Sequence, residues 1–456
     1  MAAATTRLGT AENHMATTTS RRSLLTLALA APLAGTVLAG CGGDSGPGAA
    51  AGGDGATIWI LTGQPVEGIR TDAIEAFNEA NPDSALTVSS FQNDAFKAKI
   101  KTAIGAGEAP TIIWTWGGGG LRNYVENGQV EDLTSFFEET PAIKEQIFET
   151  AFGAATVDGK VYAVPCEDVS PIVLFYNKRV FEKVGAQPPT TWGEVMELVP
   201  VFNAAGIAPF SLGGQSRWTN MMWLEFLYDR IGGPEVFQAV FDGQPDAWSN
   251  PASIEALTQL QDLVRADGFV KGFASITADS NADQALLYTD KAAMMVHGTW
   301  TYGSMKSDGG DFVTGGHLGW MNFPPVEGGA GDPSNTVGNP SAYYALSSKA
   351  TEEQKTAAKK YFAEGLNTDE TTKAWISVGS VPIIKGSDSQ FSSSEDAEWL
   401  QFVYDIASGA ATFTQSWDQA LSPTAAEALL DNIEKLFGLS ITPQQFADAM
   451  NAVIGS

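Results

Sequence analysis

From Thr57 onward the apolar positions fall into two alternating rhythms. Thr57–Leu61 reads as a short buried strand, and Val66–Glu79 as an amphipathic helix stopped by Asn81-Pro82. The same alternation predicts a strand at Leu86–Phe91, a helix at Ala95–Ile104 and a strand at Thr111–Trp116, just ahead of Gly117–Gly120. Strands separated by helices pair in parallel through crossovers. An α/β sheet follows, with its ligand crevice at the carboxyl ends of the strands.

Further along, Asp158-Gly159-Lys160 turns a hairpin into Val161–Val164, and Ile172–Tyr176 reads as a buried strand. Thr191-Trp192-Gly193-Glu194 has the form of a capping box opening a helix through Phe202. The chain from there to about residue 300 is predicted largely helical, with a strand at Ala292–Val296. Phe323–Pro340 is rich in Gly, Pro, Asn and Asp and reads as a long surface loop before a strand at Ala342–Ser347. Helices are predicted again at Glu352–Leu366 and Thr424–Phe437.

The segment before Thr57 has a different character. Arg21-Arg22 precede an apolar run from Leu24 to Ala39, interrupted by Pro32 and Gly35, which is too short for a comfortable membrane span and suits a signal-peptide core. The run ends in Leu38-Ala39-Gly40-Cys41, which resembles a bacterial lipobox with Cys41 as the acylated residue. The paired arginines resemble a twin-arginine export signal, although Leu24 and Thr26 depart from that pattern and Sec export competes. Met15 is an alternative start, and a buried hydrophobic helix is the plainer reading of residues 20–41. Gly42–Ala56, rich in small residues, reads as a flexible tether. Cys166 is left without a cysteine partner in the body.

Composition then narrows the chemistry. The net charge of −27 becomes −29 once residues 1–40, with three basic residues and one acidic, are removed. Phosphate-rich partners would be repelled, so nucleic acid is excluded as a partner. Three histidines, His14, His297 and His317, offer no imidazole-rich metal site or His-based catalytic centre. Asp279-Ser280-Asn281-Ala282-Asp283 with Asp290 imitates a calcium loop, but Gln284 replaces its glycine and Asp290 its reaching Glu; a solvated acidic helix start is the competing reading, and no metal or cofactor is expected. Gly117–Gly120 lack the Lys-Ser or Lys-Thr of a phosphate loop. What remains to be explained is the twelve tryptophans.

The ordered fragments Ile58-Trp59, Ala106-Gly107-Glu108-Ala109-Pro110, Tyr124–Gly128, Asp158–Pro165, Tyr176-Asn177-Lys178, Pro189–Trp192, Ala292–Trp300 and Gly379–Pro382, lying behind a lipobox, carry a resemblance. The chain resembles extracellular solute-binding protein family 1, the maltose-binding-protein-like lipoprotein receptors of carbohydrate ABC importers, over nearly all of residues 57–456. The resemblance implies an α/β, two-lobed, periplasmic-binding-protein-like fold with a hinge and an interlobe ligand cleft. Residues 57–165 plus about 300–350 are expected mainly in lobe 1, and 166–299 plus about 351–456 mainly in lobe 2 and the hinge-crossing helices. It further implies an anchored monomer on the outer face of the membrane, an oligosaccharide ligand and permease partners, with no catalysis.

A sugar presents an apolar C–H face and an equator of hydroxyls, so its site combines flat aromatic rings with planar polar groups. Trp116, at the end of the third strand, is a candidate platform whose plainer reading is a core residue capping the sheet. The resemblance implies contacts from Gln215, Arg217 and Trp218 in a glycine-rich turn, and a ring-stacking role for Trp300. Polar candidates are Gln64, Asn93, Asp94, Glu167 and Asp168, with a helix cap as the other role for Asp94. Asn339, Trp417 and Asp418 sit in late loops that could fold over the cleft.

Three functions compete. A sugar receptor leads, with xylobiose or xylo-oligosaccharides first and raffinose-type sugars second. A secreted glycoside hydrolase would need two carboxylates about 5–9 Å apart across one bond, whereas the neighbours Glu167 and Asp168 point to opposite sides. A polyamine receptor of the same fold would also welcome the acid.

Overall fold

The computed structural model describes residues 55–455, so the expected export signal, the expected lipidation site Cys41 and most of the expected tether lie outside the described residues. In chain order the strands are β1 (Ala56–Leu61), β2 (Leu86–Phe91), β3 (Ile112–Thr115), the hairpin β4 (Thr156–Val157) and β5 (Lys160–Val161), β6 (Ala163–Cys166) and β7 (Asp168–Asn177). They continue as β8 (Ala208–Phe210), β9 (Ala292–Gly298), β10 (Leu318–Met321), β11 (Thr336–Asn339), β12 (Ala342–Leu346), β13 (Val381–Pro382) and β14 (Phe413–Gln415).

The first lobe is built on a sheet of order β2-β1-β3-β12-β6. As the alternation predicts, β1 runs parallel to both β2 and β3; β12 returns antiparallel to β3 and β6, pairing Tyr344 with Trp114 and Val164. Ile58 and Ile60 alternate with half-exposed neighbours, so one face of β1 is buried, while β3 is buried on both. The helix Asn93–Ala106 covers the sheet with Phe96, Ile100 and Ile104, one per turn.

The second lobe is organised around β7, the longest strand, in a sheet of order β14-β11-β7-β9-β8 with β10 and β13 also on β7. Its core includes the helix Trp218–Gly232, in which Trp223 meets Phe210 and Phe269 edge to face at 4.6 and 5.1 Å.

Two expectations need correction. Residues 300–341 belong with the second lobe, because β10 and β11 pair with β7, and helix Thr301–Asp308 packs Tyr302 and Met305 into a core shared with Phe175. Conversely helix Glu352–Glu364 packs Ala358, Tyr361 and Phe362 into the first core. Furthermore, the expected loop Phe323–Pro340 ends in a paired strand: β11 sits between β7 and β14, although its Gly338 and Asn339 read as loop residues. Contacts with segments far along the chain, by strand pairing or by helix packing, decided where each of these segments sits, and local composition carries no trace of them.

The chain crosses between lobes at a narrow waist. Cys166 ends β6, Asp168 begins β7, and the single residue between them, Glu167, holds the left-handed φ of 72°. A return crossing runs from Asn339 to Ala342, and the Ser341 hydroxyl donates to the Cys166 carbonyl at 2.7 Å, tying these two crossings together; a third lies between helix Glu352–Glu364 and β13. Glu167 is buried and takes both oxygens to Arg70, whose Nε and Nη2 each donate at 2.7 Å, while Trp114 Nε1 donates at 2.9 Å. Arg70 Nη1 also donates to the Leu61 carbonyl at 2.9 Å. Glu167 holds the Arg70 guanidinium well above its ordinary range, against the opposing cost of burial.

Leaving one of these charges buried alone costs about 3–5 kcal/mol, whereas replacing both by apolar groups is near neutral. Glu167→Leu is therefore expected to lower unfolding stability by that amount, and Arg70→Met with Glu167→Leu to recover most of it, as read by urea denaturation. An equal loss in the double variant would show that the pair is not the element at stake.

Candidate functional site

Between the lobes, where the strand ends of the first sheet face the second, lies a cavity of about 340 Å³. It is in the size range of a small-molecule site.

The first lobe contributes its loops and one helix face. Gln64 follows β1, Asn93 and Lys97 lie one turn apart on helix Asn93–Ala106, and Trp116 follows β3. Trp116 stands edge-on to Trp114 at 4.3 Å and to Phe96 at 6.1 Å, which fixes its ring while leaving it partly exposed to the cavity. Lys97 Nζ lies 4.8 Å above the Trp116 ring and 3.0 Å from Asp418 of the second lobe.

The second lobe answers with two more indoles. Trp218 begins a helix and Trp300 follows β9; their rings lie 6.2 Å apart at 51°, each edge-on to His297 at 5.5 Å. Trp218 Nε1 donates to Asp94 Oδ1 at 3.1 Å, and the Asp94 backbone N–H donates to Asp279 Oδ2 at 3.0 Å. The lobes are thus in direct polar contact across the cavity mouth. Asp94 makes no cap: helix Asn93–Ala106 begins without a side-chain capping bond.

The waist supplies the floor through Glu167, Asp168, Asn339 and Ser341; Glu167 and Asp168, expected to face opposite sides, both reach it because Glu167 leaves the strand conformation at φ 72°. Burial, and then the neighbouring Glu167 charge, push Asp168 up to about 6. Asn339 Oδ1 is buried with no hydrogen-bond partner among the described residues, so it is an acceptor in need of a donor. The cavity's two cations are both taken, Arg70 by Glu167 and Lys97 by Asp418. Among the described residues, Asp168 and Asp279 have no cation within salt-bridge distance, so the wall is on balance acidic.

Of the expected contacts, Gln64, Asn93, Trp116, Glu167, Asp168, Trp218, Trp300, Asn339 and Asp418 are brought to this one cavity, and Asp94 stands just behind Trp218. Three are not. Gln215 is exposed, and its backbone N–H donates to the Ile276 carbonyl away from the cavity. Arg217 turns outward to Glu427 at 3.0 Å and Asp431 at 2.5 Å. Trp417 is a core residue, stacked flat on Phe237 at 4.2 Å, while the next residue of the turn, Asp418, takes the cavity side. That turn is anchored by Glu225, whose Oε1 accepts the Trp417 backbone N–H at 2.6 Å; burial pushes Glu225 up to about 8. The calcium-like run is divided as well: Asp279 serves Asp94, Asp290 pairs with Arg179 at 2.9 Å, and Asp283 is buried beside His297.

Sequence reasoning missed Arg70, Lys97, Trp114, Asp279, His297 and Trp375, which also line the cavity. Lys97 was reachable, being four residues after Asn93 on one helix face. The others carry no local signal.

The model of the family described as bacterial extracellular solute-binding protein matches residues 62–372. A Brucella melitensis relative named a probable sugar-binding periplasmic protein is 28% identical over 50% of this chain and 52% of its own, so the chain spans about half the length of such curated relatives. A Streptococcus mutans relative named a multiple sugar-binding protein is 25% identical over 69% of this chain and 71% of its own. A solved structure from work on xylan utilisation by Caldanaerobius polysaccharolyticus is 31% identical, with a TM-score of 0.80 over 88% of this chain and all of that one. The matched family and the two named relatives are binding proteins rather than enzymes. The chain belongs to the bacterial extracellular solute-binding protein family.

Proposed function

We propose that this protein is the extracytoplasmic receptor of a carbohydrate ABC importer, held at the membrane through an acylated Cys41, and that it captures a short oligosaccharide by closure of its lobes and hands it to a permease. The observation that carries the reading is the grouping of Trp116, Trp218 and Trp300 around one cavity whose floor and rim are amide and carboxylate oxygens. Flat rings suit the C–H faces of sugar rings, and Asp168, Asn339 and Gln64 suit their hydroxyls. Xylobiose or a slightly longer xylo-oligosaccharide is the first ligand to try, supported by the likeness to the protein from xylan-utilisation work.

A hydrolase is a poor fit to the same residues. Glu167 has one oxygen on Arg70 Nε and Trp114 and the other on Arg70 Nη2, so it is unavailable as a nucleophile or an acid. The unpaired acid of Asp168 and Asp279 leaves a polyamine as the ligand class that competes.

Titration with xylo-, cello-, chito-, malto- and raffinose-type sugars, followed by tryptophan fluorescence, is expected to give saturable binding with the sugar recovered intact. Silence to all of them with a response to spermidine would replace the sugar reading by the polyamine one. Removing the stacking ring in Trp300→Ala is expected to weaken sugar binding by about 2 kcal/mol, roughly thirtyfold in Kd.

Asp168 makes the affinity pH-dependent. Its folded-state pKa of about 6 lies above the ordinary 3.8, so its contribution to stability is fully present below 3.8 and is lost as pH rises through about 6. As a carboxylate it accepts two sugar hydroxyls, and as an acid it accepts fewer. Affinity is therefore expected to fall between pH 7 and 5 while this group's share of unliganded stability rises, and Asp168→Asn is expected to flatten both profiles, measured by calorimetry and thermal unfolding across that range.

A further inference from the structure

The run Gly117–Gly120 opens the helix Gly118–Glu126 and holds no phosphate motif, so its composition needs another cause. Gly117 and Gly118 have φ of 74° and 57°, a conformation that favours glycine. Gly119 does not, and its reason is space. A methyl group built on Gly119 overlaps the Leu421 carbonyl and crowds that of Ala420, and one on Gly118 overlaps the Gln415 side chain and the Gln419 carbonyl.

These contacts run between lobes. Leu121, two residues after Gly119, is in the core of the first lobe, whereas Ala420 and Leu421 are in the core of the second. Gln415 Nε2 donates to the Trp116 carbonyl at 2.8 Å beside this contact, and Lys97 meets Asp418 at 3.0 Å beyond it. The lobes therefore touch backbone to backbone where any side chain would intervene. Gly120, in the same helix turn, has nothing within 4 Å of an added methyl.

We propose that Gly118 and Gly119 form a steric seam that permits closure: they touch no ligand, yet a side chain at Gly119 wedges the lobes apart and holds the receptor open. The inference rests on the closure reading above. Alanine is the better helix former, so Gly119→Ala does not harm the helix itself. Its penalty falls only on the arrangement in which Leu421 is in contact.

The test compares Gly119→Ala with Gly120→Ala and the unaltered protein, using the sugar panel above, thermal unfolding without ligand and small-angle X-ray scattering. Expected are equal affinities for the unaltered protein and Gly120→Ala, a loss of at least about tenfold for Gly119→Ala, and an unliganded melting temperature for Gly119→Ala that is unchanged or higher. Equal sugar affinity in all three overturns the seam and leaves the receptor reading standing. A melting temperature that drops in Gly119→Ala without ligand also overturns it, because the contact would then support the fold rather than closure. Should the unaltered protein bind no sugar, the receptor reading fails and scattering decides the seam: a larger radius of gyration for Gly119→Ala than for Gly120→Ala supports it, and superimposable curves overturn it.

Discussion

A buried ion pair at the waist is the constraint around which the molecule is arranged. Glu167 is the single residue between β6 of the first sheet and β7, the first strand of the second, and Arg70 grips both of its oxygens from a helix of the first lobe. Two charges out of water are tolerable only with full hydrogen bonding, which Trp114 and the Leu61 carbonyl complete. The pair thereby fixes where β7 leaves the first lobe. It also places Asp168, the next residue, in the cavity, with the Glu167 charge helping to raise its pKa.

The two compositional anomalies separate under this geometry. Acid is spread over the exterior, and only a few carboxylates reach the cavity, where Arg70 and Lys97 neutralise two of them. Tryptophan divides between roles. Trp223, Trp248, Trp399 and Trp417 are buried in the second lobe, while Trp116, Trp218 and Trp300 are held edge-on by other rings and keep a face toward the cavity. Interlocking edges make a rigid platform, and a rigid platform loses little entropy when a ligand is stacked on it.

Much of this was legible in advance. The first three strands and their helices follow from alternation alone, and the strand-end rule pointed to Gln64, Asn93 and Trp116, which the fold brings to one cavity. Trp300 and Trp218 came from resemblance, which also pointed to Gln215 and Arg217, two neighbours of Trp218 that face elsewhere. Side-chain direction within a turn depends on what the turn packs against. For the same reason Trp417 and Asp418 part company, one entering the core and the other the cavity.

The sequence by itself determined the α/β class, the strand and helix positions of the first lobe and the acidic, aromatic character of the protein, because periodicity and composition are local quantities. Tertiary structure alone decided that residues 300–341 join the second sheet and that Arg70 finds Glu167 across 97 positions. It also decided that Gly119 is glycine on account of a carbonyl some three hundred residues away. Each of these is a contact between distant segments, and distance along the chain leaves no periodic mark on either one.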